Sequence, residues 1–269
     1  IIEMDEMIKT AKKLFQKKVR LSYFESLYLY RKNNFKKAYE ILDNNNNYLF
    51  FKNNQNQSYL VEYYDLLSKI CEKLKKYKKC IDYALRRNKI LLNLEKNKKF
   101  SKTELLDTIN IYIKFFDTKS KPDFVKKNLG LDHSNLTFLI GFPRSGTTLL
   151  DTILRSHSQT FVLEEKPYLL NVRHNYFKKN NISELFNLNE NYKIEIQKQY
   201  FNSFNYDPNK ITIDKFPLNL LELGFIKTIF PESKIILALR HPLDSILSCV
   251  LTSFKINEAM LNFENLKTT

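Results

Sequence analysis

Leu136-Thr137-Phe138-Leu139-Ile140-Gly141-Phe142-Pro143-Arg144-Ser145-Gly146-Thr147-Thr148-Leu149-Leu150 is the stretch on which the fold turns. An apolar, β-prone run meets a loop bounded by glycines and then apolar residues at helical spacing. Strand, loop and helix in that order let backbone N–H groups and a helix N-terminus hold a phosphate. The chain has 4 glycines, at positions 130, 141, 146 and 224, and two of them bound this loop. A sequence so sparing of glycine needs them here for backbone geometry. The spacing is that of a P-loop, G-x-x-x-x-G, but Thr147-Thr148 stands where a nucleoside triphosphatase would carry Lys then Ser or Thr. Its absence argues against ATP or GTP hydrolysis. Arg144 is the cation inside the loop, and its fork of donors can pair with an anion without a metal. The spacing alone also fits a plain glycine turn between a buried strand and a helix, so the rest of the chain must decide.

Downstream the pattern repeats. A helix is expected over 146–156, then a short strand, Thr160-Phe161-Val162-Leu163, ending at Glu164-Glu165, with helices up to about Phe204. Lys210-Ile211-Thr212-Ile213 ends at Asp214-Lys215, and a helix follows from Leu218 to Ile229. Lys234-Ile235-Ile236-Leu237-Ala238-Leu239 reads as a continuous buried strand ending at Arg240, and Pro242 opens a helix to Phe254. Strand and helix alternating in series imply a parallel sheet with helices on its faces. In open parallel sheets ligands bind outside the carboxyl ends of the strands. Here each strand ends in charge: the Arg144 loop, Glu164-Glu165, Asp214-Lys215 and Arg240.

Upstream the text is helical. Leu21 to Arg31 has apolar residues near helical period, Asn33-Asn34 breaks it, and Phe35 to Leu42 resumes it. A second helical hairpin follows, with Tyr59 to Leu74, a turn at Lys75-Lys76, and Tyr77 to Leu85. Phe35 aligns with Tyr77, Ala38 with Cys80 and Leu42 with Ala84, an offset of 42 residues. An aromatic followed by a small residue three places on suits the second helix of a tetratricopeptide repeat, a shorter unit; the polar tract from Asp43 to Gln57 accounts for the excess as a loop insertion. A further helix, Ser101 to Phe116, is expected to cap the array. The expected organisation is therefore an α/β fold, a P-loop-type parallel sheet flanked by helices over 136–269, preceded by all-α helical repeats over 1–116 and a linker over 117–135.

The net charge of +15 is uneven: residues 1–130 hold 29 Lys/Arg against 15 Asp/Glu, and residues 131–269 hold 15 against 14. A basic first half suits an acidic partner, and a coding bias toward Lys and Asn explains it equally well. Cys71, Cys80 and Cys249 include no C-x-x-C pair, and the 4 histidines show no ligand spacing, so no metal or disulfide framework is expected. Reduced thiols suit a cytoplasmic protein. No apolar run is long enough to span a membrane, and Ile1-Ile2-Glu3-Met4-Asp5-Glu6 has neither the basic end nor the apolar centre of a signal peptide.

The motifs together resemble the sulfotransferases that use 3'-phosphoadenosine 5'-phosphosulfate (PAPS), and among them the bacterial enzymes with tetratricopeptide repeats before the catalytic domain. They are also similar to protein-tyrosine sulfotransferases, which share the Glu-Glu pair at this distance from the loop. The resemblance rests on Phe142 to Leu149, Val162 to Glu165, Asp214-Lys215-Phe216-Pro217, and Leu239 to Asp244 with Ser248. It implies that Arg144, Ser145, Gly146, Thr147 and Thr148 hold the 5'-phosphosulfate and that Arg240 and Ser248 hold the 3'-phosphate. Glu165 matches the base that would accept the acceptor's proton. Lys215 matches the lysine that would neutralise the leaving phosphate, with Arg144 as a second catalytic cation. No metal is expected.

Neighbouring side chains on a strand point to opposite faces, so one of Glu164 and Glu165 is expected in the cleft and the other outside it. His157 is the alternative base, by likeness to small-molecule sulfotransferases, but at the end of the loop's helix it also suits the helix dipole. His241, before Pro242, reads as a turn residue. The resemblance further implies an acceptor with a hydroxyl, with an acidic peptide or protein recruited by the repeats as one candidate and no specific nucleic acid. The family's domain ordinarily runs past the position of Thr269, so the nucleotide site is expected to be cut short there. Two other readings compete: a P-loop kinase, which lacks its loop lysine here, and a repeat-bearing scaffold with an inactive nucleotide domain.

Overall fold

Side chains that alternate along strands and recur every turn along helices build a layered sheet in the second half of the chain and paired helices in the first. The structure is a computed structural model that describes residues 6–8, 10, 19–44, 57–94, 102–118, 133–177, 184, 188–254 and 259–269. The expected linker over 117–135 and the tract from Asp43 to Gln57 lie largely outside the described residues. By internal contacts the chain divides into two compact units, Ile1–Lys102 with Ile246–Thr269, and Thr103–Ser245.

In the first unit, α1 (Val19–Arg31) and α2 (Phe35–Leu42) form one helical hairpin, and α3 (Ser58–Lys73) and α4 (Tyr77–Leu94) form another. The 42-residue offset is physical. Both turns carry a residue in the left-handed region, Asn33 at φ 59° and Lys75 at φ 57°. In both, a buried serine of the first helix donates to a carbonyl of the second: Ser26 to Ala38 at 2.8 Å and Ser68 to Cys80 at 3.0 Å. Ala38, Leu42, Cys80 and Ala84, the small and apolar residues matched by that offset, are all buried. The four helices share a core that includes Leu66, Leu67 and Ile70.

In the second unit, β1 (Leu136–Gly141), β2 (Thr160–Glu164), β3 (Ile211–Lys215) and β4 (Lys234–Ala238) form one parallel sheet in the order β2-β3-β1-β4. β1 is buried along its whole length, as its unbroken apolar text requires. α6 (Thr147–Arg155) lies against one face, where Leu150 and Leu154 meet Leu139, Ile213, Val162 and Ala238. The other face carries α7 (Tyr168–Tyr176), α8 (Glu190–Asn202) and α9 (Leu223–Ile229), which bury Phe138, Tyr200, Phe225 and Phe230. The helix expected from Leu218 starts instead as a 3-10 turn, Pro217–Glu222, because the fixed φ of Pro217 and the bend after β3 tighten its entry.

α10 (Pro242–Leu251) follows β4 and runs from the second unit into the first. α5 (Lys102–Thr118) was expected to cap the hairpins, but from Thr103 onward it groups with the sheet. There its Tyr112 hydroxyl accepts a hydrogen bond from Arg173, at 2.6 Å, and Arg173 is itself buried against Glu222 at 2.8 Å. Among the described residues, no helix is long and apolar enough to cross a membrane.

Candidate active site

All four strands being parallel, their carboxyl ends share one edge, and the Arg144 loop, Glu164, Glu165, Lys215 and Arg240 lie along it. The loop after β1 is held by close packing. A Cβ on Gly141 would lie 2.6 Å from Ser145 Oγ and 2.8 Å from the carbonyl of Ala238, the residue paired with it on β4. Gly146, at φ 99°, makes the turn into α6, and its carbonyl accepts from the N–H groups of Leu149 and Leu150. Arg144 sits at φ 69°, a conformation that costs a non-glycine residue about 1 kcal/mol or more and is tolerated where the surroundings enforce it. Ser145 and Thr147 are buried, Thr148 is exposed, and the Ser145 hydroxyl has no hydrogen-bond partner.

The charged centre lies at the ends of β2 and β3. Alternation along β3 sends Asp214 to one face and Lys215 to the other. Asp214 is buried among aromatic rings with the Tyr200 hydroxyl donating to it at 2.7 Å, and burial pushes its carboxyl up to about 7. Lys215, toward α6, has a side chain only 1% exposed, and three carboxylates face its ammonium. Glu165 Oε1 accepts from it at 2.7 Å, Asp151 Oδ2 lies at 3.4 Å and Glu164 Oε1 at 3.8 Å.

The expectation that only one glutamate faces this centre is therefore corrected. Glu165 leaves the extended conformation at φ 47°, so strand alternation stops at Glu164 and both carboxylates reach Lys215. The Glu165 N–H still donates to the Lys215 carbonyl at 2.9 Å, which pins the turn to β3. The two glutamates differ in their other partners. Arg155 donates to Glu164 at 2.9 Å, and this bond, reinforced by the charge of Lys215, holds the Glu164 carboxyl below its usual range. Glu165, with its side chain 54% exposed, has Lys215 as partner.

Arg240 joins the edge at β4: its Nη1 donates to the Arg144 carbonyl at 3.0 Å, tying the fourth strand end to the loop, and its Nε lies 4.0 Å from Asp244. Ser248 falls further along α10, in the other compact unit, where its carbonyl accepts from Thr252. His157 is exposed past the end of α6, with Nδ1 accepting from the Gln159 N–H at 3.2 Å. The His241 carbonyl accepts from the N–H groups of Asp244 and Ser245, as a turn residue opening α10 would.

Two members of the centre escaped the sequence reading: Asp151, 1% exposed, and its partner Arg155, bonded to it at 2.6 and 3.2 Å. The signal was there. Thr147, Leu150, Asp151 and Leu154 fall on one helical stripe, and an acid on an otherwise core-facing stripe calls for a buried cation.

Comparison with known proteins agrees with this geometry. Residues 137–269 match the model of the Sulfotransferase family. An uncharacterized protein of Aquifex aeolicus (strain VF5) is 26% identical over 214 residues, covering 74% of this chain and 27% of that protein, so the chain spans just over a quarter of that relative's length. No solved structure matches. The family match starts at the first strand and takes in the parallel sheet and the anion-type loop at its carboxyl edge, so residues 137–269 are similar to the sulfotransferase family over the part of the chain that carries the site.

Proposed function

We propose that the chain is a PAPS-dependent sulfotransferase acting on a hydroxyl acceptor, with the tyrosine of a peptide or protein as the acceptor first to be tried. The observation that carries this is the Lys215–Glu165 pair, at 2.7 Å, on the same sheet edge as a loop that has no P-loop lysine. PAPS supplies an activated sulfuryl group on a phosphate leaving group. The residues fit it: Ser145 holds a buried hydroxyl with no partner, which costs about 1–3 kcal/mol until an anion oxygen accepts from it. The space before it is one that a Cβ at Gly141 would close.

In this reading Arg144, Ser145, Gly146, Thr147 and Thr148 hold the 5' end of the donor, and Arg240 and Ser248 its 3'-phosphate. Glu165 takes the proton of the acceptor hydroxyl, while Lys215 and Arg144 offset negative charge as the leaving oxygen develops it. Glu164 is a poorer base because Arg155 already occupies it. The repeated hairpins read as tetratricopeptide-like modules that recruit the acceptor, and their basic surface favours an acidic one. Buried cysteines outside any disulfide, at Cys71, Cys80 and Cys249, suit a cytoplasmic setting.

Titration calorimetry with adenosine 3',5'-bisphosphate tests the reading. Micromolar binding is expected, weakened about tenfold or more by Arg240→Ala, since a charge-assisted hydrogen bond to phosphate is worth roughly 1.5–3 kcal/mol. Absence of binding, or binding indifferent to Arg240→Ala, overturns it in favour of a repeat-bearing scaffold.

A further inference from the structure

We infer that Asp151 is the positioning residue for Lys215, a role that rests on the sulfotransferase reading and that no motif in the loop assigns. Lys215 and Asp151 are the two charged side chains of the centre that are shut off from solvent, at 1% and 2% exposure. Glu164 and Glu165 are each about half exposed. An ammonium that deep is shut off from bulk solvent, so its direction is set by the fixed charges around it.

Of the three carboxylates, two sit at the strand end, where an acceptor and donor must enter and exchange. Asp151 sits one turn into α6, behind the phosphate loop, and is itself clamped: Arg155 donates to its Oδ1 from Nη2 at 2.6 Å and from Nε at 3.2 Å. That leaves Oδ2 aimed at Lys215 Nζ, 3.4 Å away. The carboxylate thus remains as a counter-charge when Glu165 turns from Lys215 to the acceptor's proton. Because α6 begins at the loop, one rigid helix sets both the anion cradle and the lysine's anchor, fixing their separation. Misplacing such a charge by about 1 Å is enough to cost a hundredfold in rate.

The experiment is a double-mutant cycle of Asp151→Asn and Lys215→Met in the full-length protein, with kcat and KM for PAPS measured against pH. Asp151→Asn is expected to lower kcat by about 10- to 100-fold while KM changes less than about threefold, and to lose little further rate in the Lys215→Met background. Asp151→Glu is expected to recover part of the loss. Independent, additive losses in the cycle, or a wild-type kcat and pH profile in Asp151→Asn, overturn the inference. Should Asp151→Asn not accumulate as folded protein, the double variant, which buries no unpaired charge, is compared with Lys215→Met alone: equal rates support the inference and a further tenfold loss defeats it. A wild-type protein that transfers no sulfuryl group and binds no adenosine 3',5'-bisphosphate would instead defeat the parent reading, an outcome separate from either.

Discussion

Asp214 shows how much one buried carboxyl can govern. It sits between β3 and the aromatic cluster around Tyr200, Phe138 and Phe230, with one oxygen bonded to Tyr200 and the other without a partner. Burial raises its pKa from 3.8 to about 7, while the Tyr200 hydrogen bond pulls the other way. The folded state therefore holds a proton that the unfolded state releases at lower pH. Stability from this group is full below about pH 4 and is lost as pH rises through 7, by about 4 kcal/mol in all. Asp214→Asn keeps an acceptor for Tyr200 and removes the charge. It should raise urea-unfolding stability by about 2–4 kcal/mol at pH 8 and by little at pH 4, and equal effects at the two pH values would contradict this assignment. The sequence placed Asp214 at a strand end but could not say which face it takes. That depends on where alternation begins and ends, and at the neighbouring strand a single left-handed residue, Glu165, undoes the same rule.

At the scale of elements, the strands and helices around the loop were legible because each is written in one period. β1, β2, β3 and β4 fall within a residue or two of the apolar runs, and α6 begins one residue after the glycine that suggested it. What the text could not show was the approach of β4 to the loop, since Gly141 and Ala238 are distant in sequence and adjacent in the sheet. Gly141→Ala tests that closeness. Its Cβ would press on a backbone carbonyl that β-pairing holds in place and on the Ser145 hydroxyl, so relief must come from a shift of the loop. A loss of about 1–3 kcal/mol in chemical denaturation is expected, with adenosine 3',5'-bisphosphate binding weakened alongside. Unchanged binding in a folded variant would mean that the loop does not form the cradle.

For the whole chain, the least foreseeable feature is Arg87. Read in sequence, it is one cation among many on a basic helix, with a solvated face as its natural place. In the structure it is fully buried: it meets Asp65 at 2.7 Å and donates to the carbonyls of Val250 at 2.8 Å and Leu251 at 3.1 Å. Asn88 beside it donates to Val250 and Phe263 carbonyls, at 3.0 and 3.1 Å. These bonds group residues 246–269 with the paired helices, and they place a positive charge at the C-terminal end of α10, where the helix dipole favours it. Arg87→Met keeps the apolar stem and removes the guanidinium, so Asp65 retains Lys69 and the Val250 carbonyl retains Asn88, while the Leu251 carbonyl loses the Arg87 bond. Losing these charge-assisted bonds costs about 1.5–3 kcal/mol. The loss should be local: amide exchange at Cys249 to Thr252 should accelerate, and proteolysis should cut within 246–269 while the sheet unit stays protected. Uniform exchange rates across both units in Arg87→Met would show that the clamp contributes only to global stability, and an unaltered pattern would show that it contributes nothing.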